Sequence, residues 1–436
     1  MTSTGPSGNA PPHPLHFRDF RFYLIARLST HVAQYAMILV IGWQAYGIAR
    51  ETMSTNAAAA QLGFIGLAQF LPLFFLTPVS GWVADHFDRR HIAQATALLQ
   101  LACATTLAIA TWEGWINLPI IVTIAVFLGV ARAFSGPALS ALAPNLVTPP
   151  ALPRAIAFSS TVWQVGVIIG PAIGGYAFAI RHWGAYALAV LLFSIAIVAL
   201  GCIGKVKQPT RDTSRRPIRQ MIDGLAYVRG NRLVAAAITL DLFAVLLAGT
   251  TALLPVYARD IFHVGPTGLG HLAASPAIGA AVTALWFSCR PLRHEVGLKM
   301  LAAVIVFGLA TMVFGATAFL SPAWAMPVAL GAMMVWGCAD MFSVYVRQSL
   351  IQIHTPDAMR GRVSSVSHLT VSASNELGEA ESGFMAAFIG PVATIILGGA
   401  GAIVITLIWS KLYPELRLAR SFDPPRDSAA GKRKES

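Results

Sequence analysis

Five ionisable residues stand inside stretches too apolar to solvate them. Arg132 lies in Ala131-Arg-Ala-Phe134-Ser135-Gly136-Pro137, and Asp241 and Asp340 lie in two later apolar runs. Glu376 and Glu379 belong to Ser374-Asn375-Glu376-Leu-Gly378-Glu379-Ala-Glu381-Ser-Gly383. A charged side chain at the centre of a bilayer costs about 2.5–3.5 kcal/mol, so such residues face a cavity or a partner and are functional candidates by default. Asp241 and Asp340 each fall about eight residues, roughly 12 Å at 1.5 Å per residue, from one end of their apolar run. Arg132 is at similar depth. Glu376 and Glu379, three apart, share a helix face with Asn375 and Gly383, whereas Glu381 points elsewhere. Two crowded, poorly solvated carboxylates are suited to taking up and releasing protons, which is what a proton-coupled carrier needs. Gln34, Phe134 and Gln164 join Asn375 as candidate lining of a substrate cavity, and His31 and His271 are weaker candidates for proton shuttling.

The segments that position these groups are membrane spans. Of 436 residues 56% are hydrophobic and only 11% charged, with a mean hydropathy of +0.65, too little charge to cover a soluble protein of this size. Apolar stretches of roughly 20 to 28 residues can each cross a hydrocarbon core about 30 Å thick. About twelve are read, near 22–49, 59–82, 90–112, 117–140, 157–180, 184–204, 233–257, 266–289, 298–320, 325–349, 364–389 and 391–410. The expected class is therefore an all-α membrane protein.

The net charge of +12 reports topology. Lys205, Lys207, Arg211, Arg215, Arg216, Arg219, Arg229 and Arg232 crowd one segment, and Arg18, Arg21 and the Gly-Lys-Arg-Lys-Glu-Ser tail lie on the same side of the alternation. The opposite loops hold little beyond Arg50, Glu51, Glu113, Arg181, Arg259 and Asp260. This bias puts both termini and the central segment in the cytoplasm and removes the nucleic-acid reading of the basic charge. The organisation that follows is a disordered tail (1–16), a six-helix unit (17–204), a basic linker (205–232), a second six-helix unit (233–415) and a basic tail (416–436). Residues 1–15 do not read as a cleavable signal peptide, since the first apolar span contains Arg27 and His31. The four cysteines lack metal-site or disulfide spacing. There is no HExxH, GxSxG or Walker loop, so neither an enzyme nor a cofactor is expected.

Spans 2 and 3 are joined by Gly81-Trp-Val-Ala-Asp85-His-Phe-Asp88-Arg89-Arg90. Such a turn is too charged for hydrocarbon and too short for a domain, so it clamps helix ends at the membrane surface. Span 5 carries Gly166-x-x-x-Gly170-Pro171-x-x-Gly174-Gly175, a glycine face for close helix contact with a proline that bends the helix. The halves also echo one another. Gly129, Arg132 and Phe134 find Gly337, Asp340 and Phe342 at an offset of 208 residues, as Gly170 and Gly175 find Gly378 and Gly383.

The 81–90 loop, the span 4 Arg-x-x-x-Gly pattern and the span 5 glycines together resemble the major facilitator superfamily of secondary transporters. Leu67-Ala-Gln69-Phe-Leu-Pro72, Leu254-Pro255-Val-Tyr257 and the span 11 glutamates are similar to its enterobactin-exporter-like branch. The loop departs from the usual pattern in having His86 and Asp88. The resemblance covers residues 17 to 420. It implies two pseudo-symmetric six-helix repeats with the substrate site between them near the midplane. It also implies that Asp85 meets the start of span 11 with Arg89 and Arg90 in a gating network, and that the span 5 motif marks a proton-linked exporter. The function implied is export of a siderophore or hydrophobic drug-like molecule by a monomer in a bacterial inner membrane, driven by the proton gradient. A solute importer of the same fold and a non-transporting receptor are the alternatives.

Overall fold

The computed structural model describes residues 13–204, 217–290, 292 and 294–422. The first half contains α1 (Arg18–Thr52), α2 (Thr55–His86), α3 (Arg89–Glu113), α4 (Leu118–Leu142), α5 (Leu152–Ile180) and α6 (Gly184–Gly201). A connecting helix α7 (Pro217–Gly230) leads to the second half. That half holds α8 (Arg232–Leu247), a single turn α9 (Leu254–Val256), α10 (Gly265–Cys289), α11 (Val296–Ala316), α12 (Pro322–His354), α13 (Asp357–Ile389) and α14 (Pro391–Leu412), with α15 (Pro414–Arg417) closing the described chain. Among the described residues, eleven helical segments are long and apolar enough to cross a membrane, α8 counting through the broken stretch to Ile261. The twelfth is α13, whose three glutamates keep it below that apolar threshold although it is 33 residues long.

At the starts of α2, α3, α4 and α8 a side chain satisfies one of the first free N–H groups of the helix. Ser54 accepts from Ala57, Asp88 from Arg90, Asn117 from Ile120 and Asn231 from Val234. Gly114 ends α3 in the left-handed region, at φ +80°.

The two halves repeat one packing scheme. In the first, α4 lies on α2 and α5 on α1; in the second, α12 lies on α10 and α13 on α8. Glycines at the 208-residue offset carry matching contacts. A side chain at Gly129 would strike the Gln69 backbone of α2, and one at Gly337 the Pro276 backbone of α10. Gly170 sits against Val32 and Tyr35 of α1, and Gly378 against Val245 and Leu246 of α8. Gly175 and Gly383 then cross between the halves, to Pro266 and Gly270 of α10 and to Gly63 of α2. Small residues are needed there because helices in lipid associate by close backbone approach. Two six-helix halves of matching packing are the arrangement that the sequence resemblance implies.

Three features differ from the sequence expectation. α2, α12 and α13 extend several residues beyond the apolar spans read for them, because polar turns at the bundle surface prolong the helix. Span 7 is not one helix: after Leu247 the chain passes through a 3₁₀ turn at Thr250–Leu253 and a π turn at Tyr257–Ile261. Gly249, pressed against the Gly378 carbonyl, and Pro255 are the local causes. Part of the basic linker is helical, α7 resting on α13 through Gly224 against the Arg362 backbone and Arg362 bonded to Asp223 at 3.2 Å. Residues 1–12, 205–216 and 423–436 of the expected tails and linker lie outside the described residues.

A Cβ at Gly170 would lie 2.8 Å from the Tyr35 Cβ and 2.9 Å from the Val32 oxygen, whereas one at Gly331 meets nothing within 4 Å. Gly170→Leu should therefore abolish efflux at normal membrane levels, and Gly331→Leu should retain it. Efflux by the Gly170 variant equal to wild type would show that this face does not hold α5 on α1.

Candidate functional site

A cavity of about 930 Å³ lies between the halves. Its wall is mainly aliphatic and aromatic, with Tyr35, Trp163 and Trp336 supplying rings and Gln69, Gln164 and Thr251 supplying polar atoms. Asp340 and Glu379 are its carboxylates. The broken stretch after α8 contributes Thr251, Ala252, Leu254 and Pro255 to the wall, consistent with the rule that irregular backbone at membrane depth is tolerated where it borders a cavity.

Arg132 on α4 reaches across the halves to Glu376 on α13, 2.7 Å away, and also donates to the Gln69 oxygen at 3.3 Å. Glu379, three residues on, accepts from the Thr251 hydroxyl at 3.0 Å. Within one turn of α13, one carboxylate therefore ties the halves together while the next faces the cavity. Asp340 has neither a hydrogen-bond nor an ion-pair partner among the described residues, although it stands at the position equivalent to Arg132.

The side of the cavity away from the chain ends is closed by a second set of cross-half contacts. Asp260 accepts from Tyr46 at 2.6 Å, Arg50 at 2.9 Å and Thr55 at 3.2 Å, so that the end of α1 and the start of α2 converge on the end of the broken span. The Arg259 guanidinium lies 5.6 Å from the Trp43 ring centre. Tyr176 bonds His271 at 2.9 Å, and the Phe64 and Phe384 rings meet edge to face. Towards the chain ends, by contrast, the cavity-lining Thr161, Trp163 and Leu285 remain exposed.

Several residues read from the sequence fall elsewhere. Asp241 does not face the cavity. It pairs with Arg347 of α12 inside the second half, at side-chain exposures of 5% and 2%. Its depth was legible, but the helix face that met Arg347 was not. Phe134 packs into the first half's core near Phe20 and Leu139; Gln34 and Asn375 also stand off the cavity wall, whereas Gln164 lines it and donates to the Ala277 carbonyl at 3.2 Å. In the 81–90 loop, Gly81 and Asp85 belong to α2, but the Asp85 side chain lies outside the described residues. Arg89 donates to the Ala141 carbonyl at 2.9 Å and Arg90 to that of Ile203, both at the negative ends of helices in the first half. The span 5 glycines Gly166, Gly170 and Gly174 pack on α1, while Pro171 joins the cavity wall. The Asp260 cluster escaped the sequence reading because Arg50 and Asp260 entered it only as sparse loop charges.

A family profile described as transmembrane secretion effector matches residues 10–423. The enterobactin exporter of Citrobacter koseri is 26% identical over 94% of this chain and 95% of its own length. The multidrug efflux pump Tap of Mycobacterium bovis is 28% identical over 75% of this chain and 78% of its own. Macrolide efflux protein A of Streptococcus pyogenes is 26% identical over 81% and 87%. Among solved structures, a D-xylose-proton symporter superposes with a TM-score of 0.71 at 14% identity, covering 91% of this chain and 98% of its own. An inward-facing bacterial homologue of the lysosomal transporter Spinster gives 0.67 at 14% identity, covering 93% and 97%. These superpositions speak to the fold.

Two outcomes follow from this geometry. Removing one partner of a buried ion pair costs about 3–5 kcal/mol. Asp241→Asn should accordingly lower the thermal unfolding temperature of the purified protein while its transport still responds to a pH gradient; loss of that response without loss of stability would return Asp241 to the coupling machinery. Asp260→Asn removes the negative charge and one oxygen of the carboxylate shared by three donors, and should raise the labelling rate of a cysteine placed at Ala252, probed from the Asp260 side. Unchanged labelling would mean that the glycine contacts alone keep that side shut.

Proposed function

The chain belongs to the transmembrane secretion effector family of the major facilitator superfamily, and on that premise we propose that this membrane exporter works as a proton-coupled antiporter. Its substrate, on this reading, is a siderophore or a hydrophobic drug-like molecule, as the names of its relatives suggest. The observation that carries the coupling is the Arg132–Glu376 ion pair joining the halves beside a cavity that Glu379 faces. A carboxylate in such a place exchanges a full charge for a proton. Ionised, Glu376 holds α13 to α4 and Glu379 leaves a negative charge at the cavity wall. Protonated, Glu376 releases Arg132 and Glu379 no longer attracts what the cavity holds.

The basic bias of residues 205–232 and both tails supports cytoplasmic termini in a bacterial inner membrane. The closed Asp260 side then faces outward, and the exposed Thr161, Trp163 and Leu285 mark the route of substrate from the cytoplasm. A proton arriving after the far side opens displaces the substrate, and its release to the cytoplasm restores the charge. Every element of this cycle lies within one chain, which supports a monomer as the working unit and calls for no bound cofactor. An importer would run the same fold in reverse, but the span 5 glycine motif and the exporters among the relatives favour efflux.

The test uses proteoliposomes loaded with a fluorescent substrate under an imposed pH gradient. Glu376→Gln with Glu379→Gln should abolish accumulation against a gradient while leaving energy-independent exchange of substrate. If the double variant still concentrates substrate with only a proton gradient supplied, coupling resides elsewhere.

A further inference from the structure

A chelator built on ionised oxygen donors and a drug with an onium centre carry opposite charges, and the cavity wall discriminates between them. We propose that the cavity selects amphiphilic cations, an ammonium or other onium centre on an aromatic or macrocyclic body, with Asp340 as the residue that pairs with the positive centre, and that it rejects polyanionic chelators. This deepens the export reading above and rests on it.

The charge census of the wall carries the argument. Among its described lining residues the carboxylates are Asp340 and Glu379, and none is Lys, Arg or His. Arg132, which reaches the same turn of α13, is neutralised by Glu376 at 2.7 Å. The polar amides Gln69 and Gln164 already serve protein groups, one accepting from Arg132 and the other donating to Ala277. A multiply negative ligand would thus meet two carboxylates, a mainly apolar wall and, among the described lining residues, no cation. Like charges brought together at low dielectric repel strongly, and a negative group without a partner there loses its hydration uncompensated.

The two acids are not equivalent. Glu379 accepts from Thr251 and lies one turn from the Arg132–Glu376 pair, so it belongs to the group that ties the halves together. Asp340 stands alone on α12, one turn beyond Trp336, which also lines the cavity. An unpartnered carboxylate beside an indole and an apolar wall offers a cation both a charge and an aromatic neighbour. The body of the ligand finds Tyr35, Trp163, Pro171 and Pro276. At about 930 Å³ the space lies within the range of drug-sized sites.

The experiment compares two ions of one shape and opposite charge, tetraphenylphosphonium and tetraphenylborate, by equilibrium binding to the purified full chain in detergent, with protein-free micelles subtracted. The wild type should bind the cation at least about tenfold tighter than the anion, a difference of about 1.4 kcal/mol. Asp340→Asn should weaken cation binding by about tenfold or more while anion binding stays the same or tightens, and Asp340→Glu should recover most of the cation binding. Equal or tighter binding of the anion by the wild type overturns the selectivity without recourse to any variant. Unchanged cation binding in a monodisperse Asp340→Asn protein, or a loss found only in Glu379→Gln, overturns the assignment to Asp340. Binding at equilibrium needs no gradient, so a negative result here leaves proton-driven export standing. A failure of coupling in proteoliposomes likewise leaves this selectivity standing.

Discussion

A charge cannot be left alone in hydrocarbon, and the arrangement of this protein follows from how each buried charge finds its place. Three answers are visible. Asp241 and Arg347 neutralise one another within the second half, almost wholly removed from solvent. Arg132 and Glu376 do the same across the halves. Asp340 and Glu379 instead face the cavity between them. The first kind of pair stabilises a half, the second joins the halves, and the third leaves charge available to something that enters.

That division of labour makes motion possible. A pair inside one half persists whatever the halves do, because both partners move together. A pair across the halves is made in one arrangement and lost in another, so anything that changes its charge biases the equilibrium between arrangements. The same logic holds at the far side, where Asp260 gathers three donors from α1 and the start of α2. These contacts are few, polar and local, whereas the glycine contacts within each half, such as Gly170 on α1 and Gly378 on α8, are extended and unforgiving of added bulk. Beside these polar ties Gly175 closes on α10 and Gly383 on α2, so alternating access must part both kinds of contact.

Much of this was legible in the residues because membrane spans obey strict rules. Lipid demands long apolar helices, and the spacing of Gly170 and Gly175 from Gly378 and Gly383 showed a repeat that the packing reproduces contact for contact. What escaped has a common cause: depth along a helix can be counted, but the direction of a side chain depends on a neighbour not yet placed. Asp241 and Phe134 were at the right depth and on another face. Glu376 and Glu379 were rightly put on one side of their helix, yet their different partners came from α4 and from the broken stretch after α8. That break had a signal in Gly249 and Pro255, masked by the continuous hydrophobicity around them. Asp85 was the most conspicuous acid in the sequence, and its side chain lies outside the described residues.

The repeat also explains why the cavity is chemically one-sided. Arg132 and Asp340 occupy equivalent places on α4 and α12, above equivalent glycines that press α4 on α2 and α12 on α10. Duplicated backbone geometry therefore presents a cation from one half and an anion from the other at the same depth. Had these two met, they would have cancelled. Instead Arg132 is taken by Glu376 from α13, which leaves Asp340 without its symmetry mate. A nearly two-fold frame thus produces an acidic, mostly apolar chamber whose described carboxylates, Asp340 and Glu379, both belong to the second half, while the first half contributes rings and amides such as Tyr35, Trp163 and Gln164. Trp336 and Pro276 of the second half complete the wall, so moving the halves apart alters every contact that a molecule in the chamber can make.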